Sequence, residues 1–314
     1  MTRTSLPILA PPKARKRERY APTMPRPALK RLVARLMGVK SLSGAARMLG
    51  GLDPGGHWSL YMNRLGAGLG AIAAHHNEFR TPFPVFNLKG NEKLPFAAFS
   101  ALPEVTCPGA GECLGYCYSF TAWRYPGAWC RQVMNTLLLR HAPHVVAHWF
   151  AQLDDGITVR LYVDGDFDSA QTIDFWFSLL KSRPDIRAYG YSKSWRLLWE
   201  YAQNNELPAN YRLNLSSGGK DQGITLAQMM NLSITRGQFI AVPVSYRPTV
   251  KRRGKVGFER YGDPAYHKAV RASAVKTGVG RMFSCPGKCG ECAGGEHACG
   301  SDRFKGVSVV IGVH

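Results

Sequence analysis

From Thr158 onward the chain alternates between short apolar runs and longer amphipathic ones. Strand-like runs fall at Thr158–Val163, Ile186–Tyr191, Arg212–Leu215 and Phe239–Pro243, at nearly constant intervals. Between them, Thr172–Lys181, Ser194–Asn204 and Leu226–Leu232 carry apolar residues at helical spacing. A strand and then a helix, repeated, predicts βα units in a parallel sheet, because parallel neighbours need a crossover between them. With a further helix over Met134–Leu153 and a last strand over Val307–Val313, the pattern predicts an α/β domain over residues 82–314. The leading architecture is a parallel (βα)n barrel or partial barrel with Cys-rich loops; a doubly wound open sheet is the alternative.

Ahead of this domain the period changes. Leu29, Leu32, Val33, Leu36 and Met37 predict a helix that ends at Gly38. Ser41 or Ser43 caps a second short helix, Gly44 to Leu49, and a glycine-rich turn leads to a third, Trp58 to Leu65. Tyr61, Asn63 and Arg64 are expected to point outward from it. Residues 28–81 thus form a small helical region. Its order matches a helix-turn-helix DNA reader, although the turn exceeds the usual three or four residues. A helical cap on the main domain is the other reading. Residues 1–27, rich in proline and arginine, are expected to form a disordered basic arm.

Composition narrows the class. The 314 residues, 45% of them hydrophobic, suffice for one large domain and an appendage. No run approaches the roughly eighteen apolar residues of a membrane span, and the first ten residues are too short and proline-broken for a secretory signal. A cytoplasmic protein without a membrane partner is expected. There, eight clustered cysteines point to ligands rather than disulfides. The net charge of +20, from 41 Lys and Arg against 21 Asp and Glu, favours a polyanionic partner, most simply DNA. The charge concentrates at Lys13, Arg15, Lys16, Arg17 and Arg19, at Lys30 and Arg31, and at Lys251, Arg252 and Arg253. With Arg64, these are the candidate nucleic-acid contacts. A solvated tail accounts for the first run alone; a second cluster in a later loop favours a binding surface.

The cysteines fall into two glycine-rich loops. The second, Cys285-Pro-Gly-Lys-Cys289-Gly-Glu-Cys292 followed by Cys299, supplies four thiolates, enough to close a tetrahedral zinc site or fill an iron–sulfur cluster. Its polar neighbours argue against simple buried thiols. The first, Cys107-Pro-Gly-Ala-Gly-Glu-Cys113-Leu-Gly-Tyr-Cys117, offers three ligands, with Cys130 as a fourth or a bystander. Three ligands leave one cluster iron open, as in radical S-adenosylmethionine enzymes, but the spacing here differs from their signature. Ligands from both loops around one metal are a further alternative.

In parallel α/β folds functional groups gather at the C-terminal strand ends. Asp164, Asp166 and Asp168 alternate there, and could hold a cation or serve as catalytic carboxylates; turn and cap roles compete. Tyr189, Tyr191 and Lys193 could stack a base and pair its phosphate, with Lys193 a catalytic candidate, while core tyrosines are the ordinary case. Gly218, Gly219 and Lys220 suit an anion but lack the Walker spacing. His141, His144 and His148 share a helix face, more simply a satisfied face than a metal site.

Cys107-Pro-Gly, Cys113 and Cys117-Tyr-Ser, the later Gly165-Asp166-Phe167, and Tyr189-Gly-Tyr191-Ser-Lys193 resemble the gene product eighty-eight family of phages and plasmids. The similarity runs from residue 82 to about 300. It implies a mobile-element protein with a barrel akin to radical enzymes and a cysteine-bound cofactor, and supplies no reaction. Three functions are therefore carried forward. The first is a DNA-associated protein of a plasmid or phage, acting in replication or DNA processing and carrying an iron–sulfur cluster or zinc. The second is a cluster-dependent, radical-type enzyme on nucleic acid or nucleotide, using S-adenosylmethionine. The third is a non-catalytic regulator that binds a protein partner.

Overall fold

The computed structural model describes residues 24–76, 78–88, 96–246, 249–252, 255–258, 263–287, 289, 292 and 297–313. They divide into two compact units.

The helical unit comprises described residues up to 87, together with 100–106 and 117–153. Proline in its first turn starts α1 (Arg26–Met37), and Leu29, Leu32, Val33 and Leu36 form its buried stripe. Ser41 caps α2 (Leu42–Gly50) by accepting the Gly44 N–H at 3.2 Å. Helix α3 (Gly56–Ala73) is more than twice as long as the pattern predicted, because its apolar face continues through Leu65, Leu69 and Ile72. It buries Trp58, Met62 and those residues, and Trp58 meets Trp129 edge-on at 5.9 Å. Its exposed stripe, Gly56, Leu60, Asn63 and Ala67, carries no charge. Asn63 supplies the side-chain donor on that stripe, and the opposite face of α3 packs on α2 and α5 (Pro126–His141).

The rest of the unit is α4 (Ser119–Ala122), α5 (Pro126–His141) and α6 (Pro143–Ala151). The single helix expected over Met134–Leu153 is two helices. Ala142, held at φ −152° before Pro143, breaks it, as a residue preceding proline is pushed out of the helical region. Residues 117–153, expected within the α/β domain, cluster with α1–α3. Two buried side chains pair within the unit: Trp123 Nε1 donates to Gln132 Oε1 at 2.8 Å, and Asn135 Nδ2 donates to the carbonyls of Val85 and Ser100.

The second unit is the predicted α/β domain. Its strands are β1 (Ala97–Ala98), β2 (Thr158–Leu161), β3 (Arg187–Ser192), β4 (Tyr211–Ser216), β5 (Thr235–Val242), β8 (Met282–Ser284) and β9 (Ser308–Gly312). A separate hairpin holds β6 (Thr249–Arg252) and β7 (Lys255–Phe258). The seven strands form an all-parallel sheet in the order β1-β2-β3-β4-β5-β9-β8. The sheet is open, as a partial barrel is. Helices α7 (Ala170–Ser182), α8 (Trp195–Asn204), α9 (Leu226–Met230) and α10 (Pro264–Lys276) complete the unit.

Alternation assigns the two faces of the sheet. Tyr211 packs on Phe177 of α7, while Val242 and Val310 pack on Tyr266, Val270 and Ala274 of α10, so these helices cover one face. The opposite face mixes aromatic and apolar residues with arginine and asparagine. Register aligns Arg160 with Tyr189 and Tyr189 with Arg212, and then Tyr191 with Asn214. Further along, Phe239 aligns with Val309, and Val309 with Phe283. Among the described residues no α-helix covers this row. The segment after β8, with short 3-10 turns at Ala298–Gly300 and Asp302–Phe304, lies across it.

Candidate metal centre

The second cysteine loop lies on the helix-free face. Cys285 follows β8 and donates its N–H to Val310 at 2.8 Å, which fixes it at that strand's C-terminal end. Cys299 is buried against Tyr189 and Val309, with Phe96, Tyr191, Phe239 and Phe283 around it. Asn214 holds this turn by donating to the Cys299 carbonyl at 2.9 Å. The four thiols lie within electrostatic reach of one another: Cys299, Cys289 and Cys292 all act on Cys285. Burial is the main influence on each perturbed thiol, and pushes Cys285 up to about 12 and Cys299 to about 11.

Donors point at the sulfurs. The Gly287 N–H reaches Cys285 Sγ at 3.4 Å, and the Ala298 N–H reaches Cys292 Sγ at 3.3 Å. The Tyr191 hydroxyl favours the charged form of Cys299. Hydrogen bonds to sulfur are among the protein's means of stabilising and tuning a thiolate-bound cluster. Among the described residues, no three His, Cys, Asp or Glu side chains converge on one ion position. The donor set, one buried and three partly buried thiols with backbone N–H groups directed at two of their sulfurs, has the donor chemistry a thiolate-bound centre needs.

Two arginines that sequence reasoning missed flank these thiols. Arg236 is fully buried and is the extra residue of a bulge: Leu213 pairs with Thr235 and Asn214 with Gly237, which re-aims the Arg236 side chain. Its guanidinium donates to Asn214 Oδ1 at 2.7 Å and to the carbonyls of Val307, Phe304 and Gln238. Among the described residues no carboxylate forms an ion pair with it. Burial lowers its pKa, while Cys299, Tyr191 and Cys292 pull it back up. Arg160 lies over the Tyr191 ring at 4.7 Å and favours the charged form of Cys289.

The first loop has a different setting. Cys107 and Cys113 belong to the sheet unit, and Cys117 to the helical one. Cys113 donates its N–H to Gly218, Lys220 donates to Gly109, and Ala110 bridges Gly219, so the loop is strapped to the ends of β3 and β4. The approach is close: a Cβ on Gly109 would stand 1.7 Å from the Lys193 carbonyl oxygen. Lys193 Nζ donates to Ser216 Oγ at 2.7 Å, and Tyr116, its pKa raised chiefly by burial, bonds Ser217. Cys130 is fully buried beside Trp129 in the helical unit, its pKa pushed far up by burial, as a packing thiol.

Two of the three aspartates tie local structure together. Asp166 accepts N–H groups from Phe167 at 2.8 Å and Lys193 at 2.7 Å, tying the loop after β2 to the loop after β3. It thereby meets the Lys193 backbone, while the Lys193 ammonium goes to Ser216. Asp168 accepts the Thr172 hydroxyl at the start of α7, and Asp164 is buried at the same strand end. Tyr189 is no base-stacking platform. It is enclosed by Phe96, His297 and Tyr191, which the register with Arg160 hid from sequence reasoning.

Of the candidate nucleic-acid contacts, Lys13, Arg15, Lys16, Arg17, Arg19 and Arg253 lie outside the described residues. Lys251 and Arg252 belong to β6. Lys30 pairs with Glu104 at 2.5 Å and sits over Phe120. Arg64 does not point outward; it lies over Phe83 at 5.0 Å, half-buried. Arg31 is exposed, as are Arg35, Lys40 and Arg47 on or beside α1 and α2. His148 stacks on Phe79 at 3.9 Å and His144 meets Glu78 at 2.6 Å.

Fold and site together define a parallel-sheet α/β protein with four cysteines, Cys285, Cys289, Cys292 and Cys299, gathered beside one face of its sheet. The chain belongs to the Gene product 88 family, whose model matches residues 73–299 and so spans both cysteine loops. No curated protein and no solved structure matches it. Among the described residues no helix is long and apolar enough to cross a membrane.

Proposed function

We propose that this is a DNA-associated metalloprotein of the phage or plasmid type, whose cysteine-ligated centre is held by Cys285, Cys289, Cys292 and Cys299. The observation that carries this reading is the gathering of four cysteines beside one sheet face, with backbone N–H groups aimed at two of their sulfurs. Four thiolates suit an iron–sulfur cluster or a tetrahedral zinc ion. When bound, such a group supplies electron transfer or Lewis acidity. The protein's own residues enclose it and exclude water.

Anaerobic purification followed by iron, sulfide and zinc analysis tests this. Iron and acid-labile sulfide in equal amounts, with broad visible absorption, is the expected result. Zinc alone would keep the ligands and replace the cluster. A folded preparation free of both metals would remove the centre altogether.

Association with nucleic acid is supported separately. Arg31, Arg35, Lys40 and Arg47 are exposed, while Asp53 is the one acidic residue in the stretch from Met24 to His76. The full chain should bind duplex DNA with an affinity that falls steeply as salt rises. Salt-independent or absent binding would count against it.

A further inference from the structure

We propose that Arg236 and Arg160 form a paired cationic shell that balances the charge of the thiolate centre, and are its positioning residues. This rests on the reading that the four thiols hold a metal centre, and it deepens that reading by assigning the centre's net charge. Four thiolates around a dication, whether zinc or an oxidised four-iron cluster, carry a net charge of about −2. Two guanidinium groups offset it.

The need for balance comes from the arginine side. Arg236 is wholly buried, and each of its hydrogen-bond acceptors in the described structure is a neutral oxygen. A buried cation without a counter-charge costs several kcal/mol even after relaxation. The groups that favour its charged form are Cys299, Tyr191 and Cys292. The bulge in β5 directs the side chain to this face; a regular strand would have no extra residue there. Arg160, on β2, lies over the Tyr191 ring at 4.7 Å, and Tyr191 packs in the cluster that holds Cys299 and Cys285. By contrast Arg212, on the same face, has its own carboxylate in Asp302.

A purely structural role for Arg236 is the competing account, since its carbonyl contacts tie down the segment at Phe304 and Val307. Such a role would not move the properties of the centre, so the test reads those. Arg236→Met, Arg236→Lys, Arg160→Met and Arg212→Met are prepared anaerobically as the full chain and compared with wild type. Metal content, loss of metal to a competing chelator and, for iron, the midpoint potential are measured.

Both Met variants at Arg236 and Arg160 should lose metal affinity by about 10- to 100-fold and shift the midpoint to more negative values. Arg236→Lys should recover much of both, and Arg212→Met should match wild type. Folded Arg236→Met and Arg160→Met proteins with wild-type affinity and potential would overturn the proposal. If Arg236→Met fails to fold, Arg160→Met, whose residue is only half-buried, decides on the same criteria. A wild-type protein without metal would defeat the centre itself and this proposal with it; metal retained equally in every variant would defeat the charge balance alone.

Discussion

Asp166→Ala should destabilise the sheet unit. The carboxylate accepts the Lys193 N–H at 2.7 Å, the Phe167 N–H at 2.8 Å and the Ser192 hydroxyl. Each buried donor left without an acceptor costs about 1–3 kcal/mol, so the Ala variant should lose about 3–5 kcal/mol. Asp166→Asn keeps one oxygen and should lose about 2 kcal/mol. The loss has a pH signature. Burial is the largest influence on this carboxyl and raises its pKa, against the bonds from Lys193, Ser192 and Phe167. Unfolded, the group ionises near pH 4. The folded protein therefore keeps the proton to higher pH than the unfolded chain. The associated stability is complete below about pH 4 and is lost as pH rises through the folded pKa. Asn has no such proton, so its deficit against wild type should be greatest near pH 4 and shrink toward pH 7. Urea unfolding followed by tryptophan fluorescence at several pH values measures both effects. An Ala variant within about 1 kcal/mol of wild type, or a deficit that widens with pH, would refute the reasoning.

Gly109→Ala should cost more than about 3 kcal/mol, because its methyl would overlap the Lys193 carbonyl, whereas Gly115→Ala, with nothing within 4 Å, should be neutral; thermal unfolding of the pair reads this. Cys289→Ala should abolish the cofactor and much of the folded protein, while Cys113→Ala should keep the fold and the cofactor of the second loop; metal analysis with circular dichroism checks both. Replacing Arg31 and Arg35 by Glu should weaken DNA binding at all sequences and reduce the slope of log affinity against log salt by about 1 or more per lost phosphate contact.

The sheet was readable because its strands are buried and evenly spaced. Val159 and Leu161, Tyr189 and Tyr191, and Leu213 and Leu215 stand at alternate positions, and each run ends at polar or glycine-containing sequence. Helix α10 escaped notice although Asp263 caps it and Pro264 opens it. Its buried positions, Tyr266, Val270 and Ala274, form too narrow a stripe to stand out among polar residues. Strand β8 has three residues, too few for any alternation to register. The cysteine spacing disclosed the donor set, but not its place beside the sheet or the arginines near it. Arg236 sits in Thr-Arg-Gly-Gln, which reads as an exposed strand edge; its burial depends on a bulge defined by pairing with β4. The charge on the helical unit was legible in amount, not in place. Neutralisation of Lys30 by Glu104 and the packing of Arg64 on Phe83 are tertiary contacts no local pattern encodes.

Strand β9 follows β8 in the chain yet lies between β5 and β8. During synthesis, β8 therefore has no neighbour in the sheet until residues 308–312 have left the ribosome. Cys285 and Cys299 flank the segment that must wait for this closure, so the two thiols come under cover only after β9 has paired. Until then the face that carries Tyr189 and Phe239 lies bare to solvent and to scavenging thiols. Shortened products that stop before β9 would forfeit the edge strand together with the last one, and would be recognisable as protease-sensitive species.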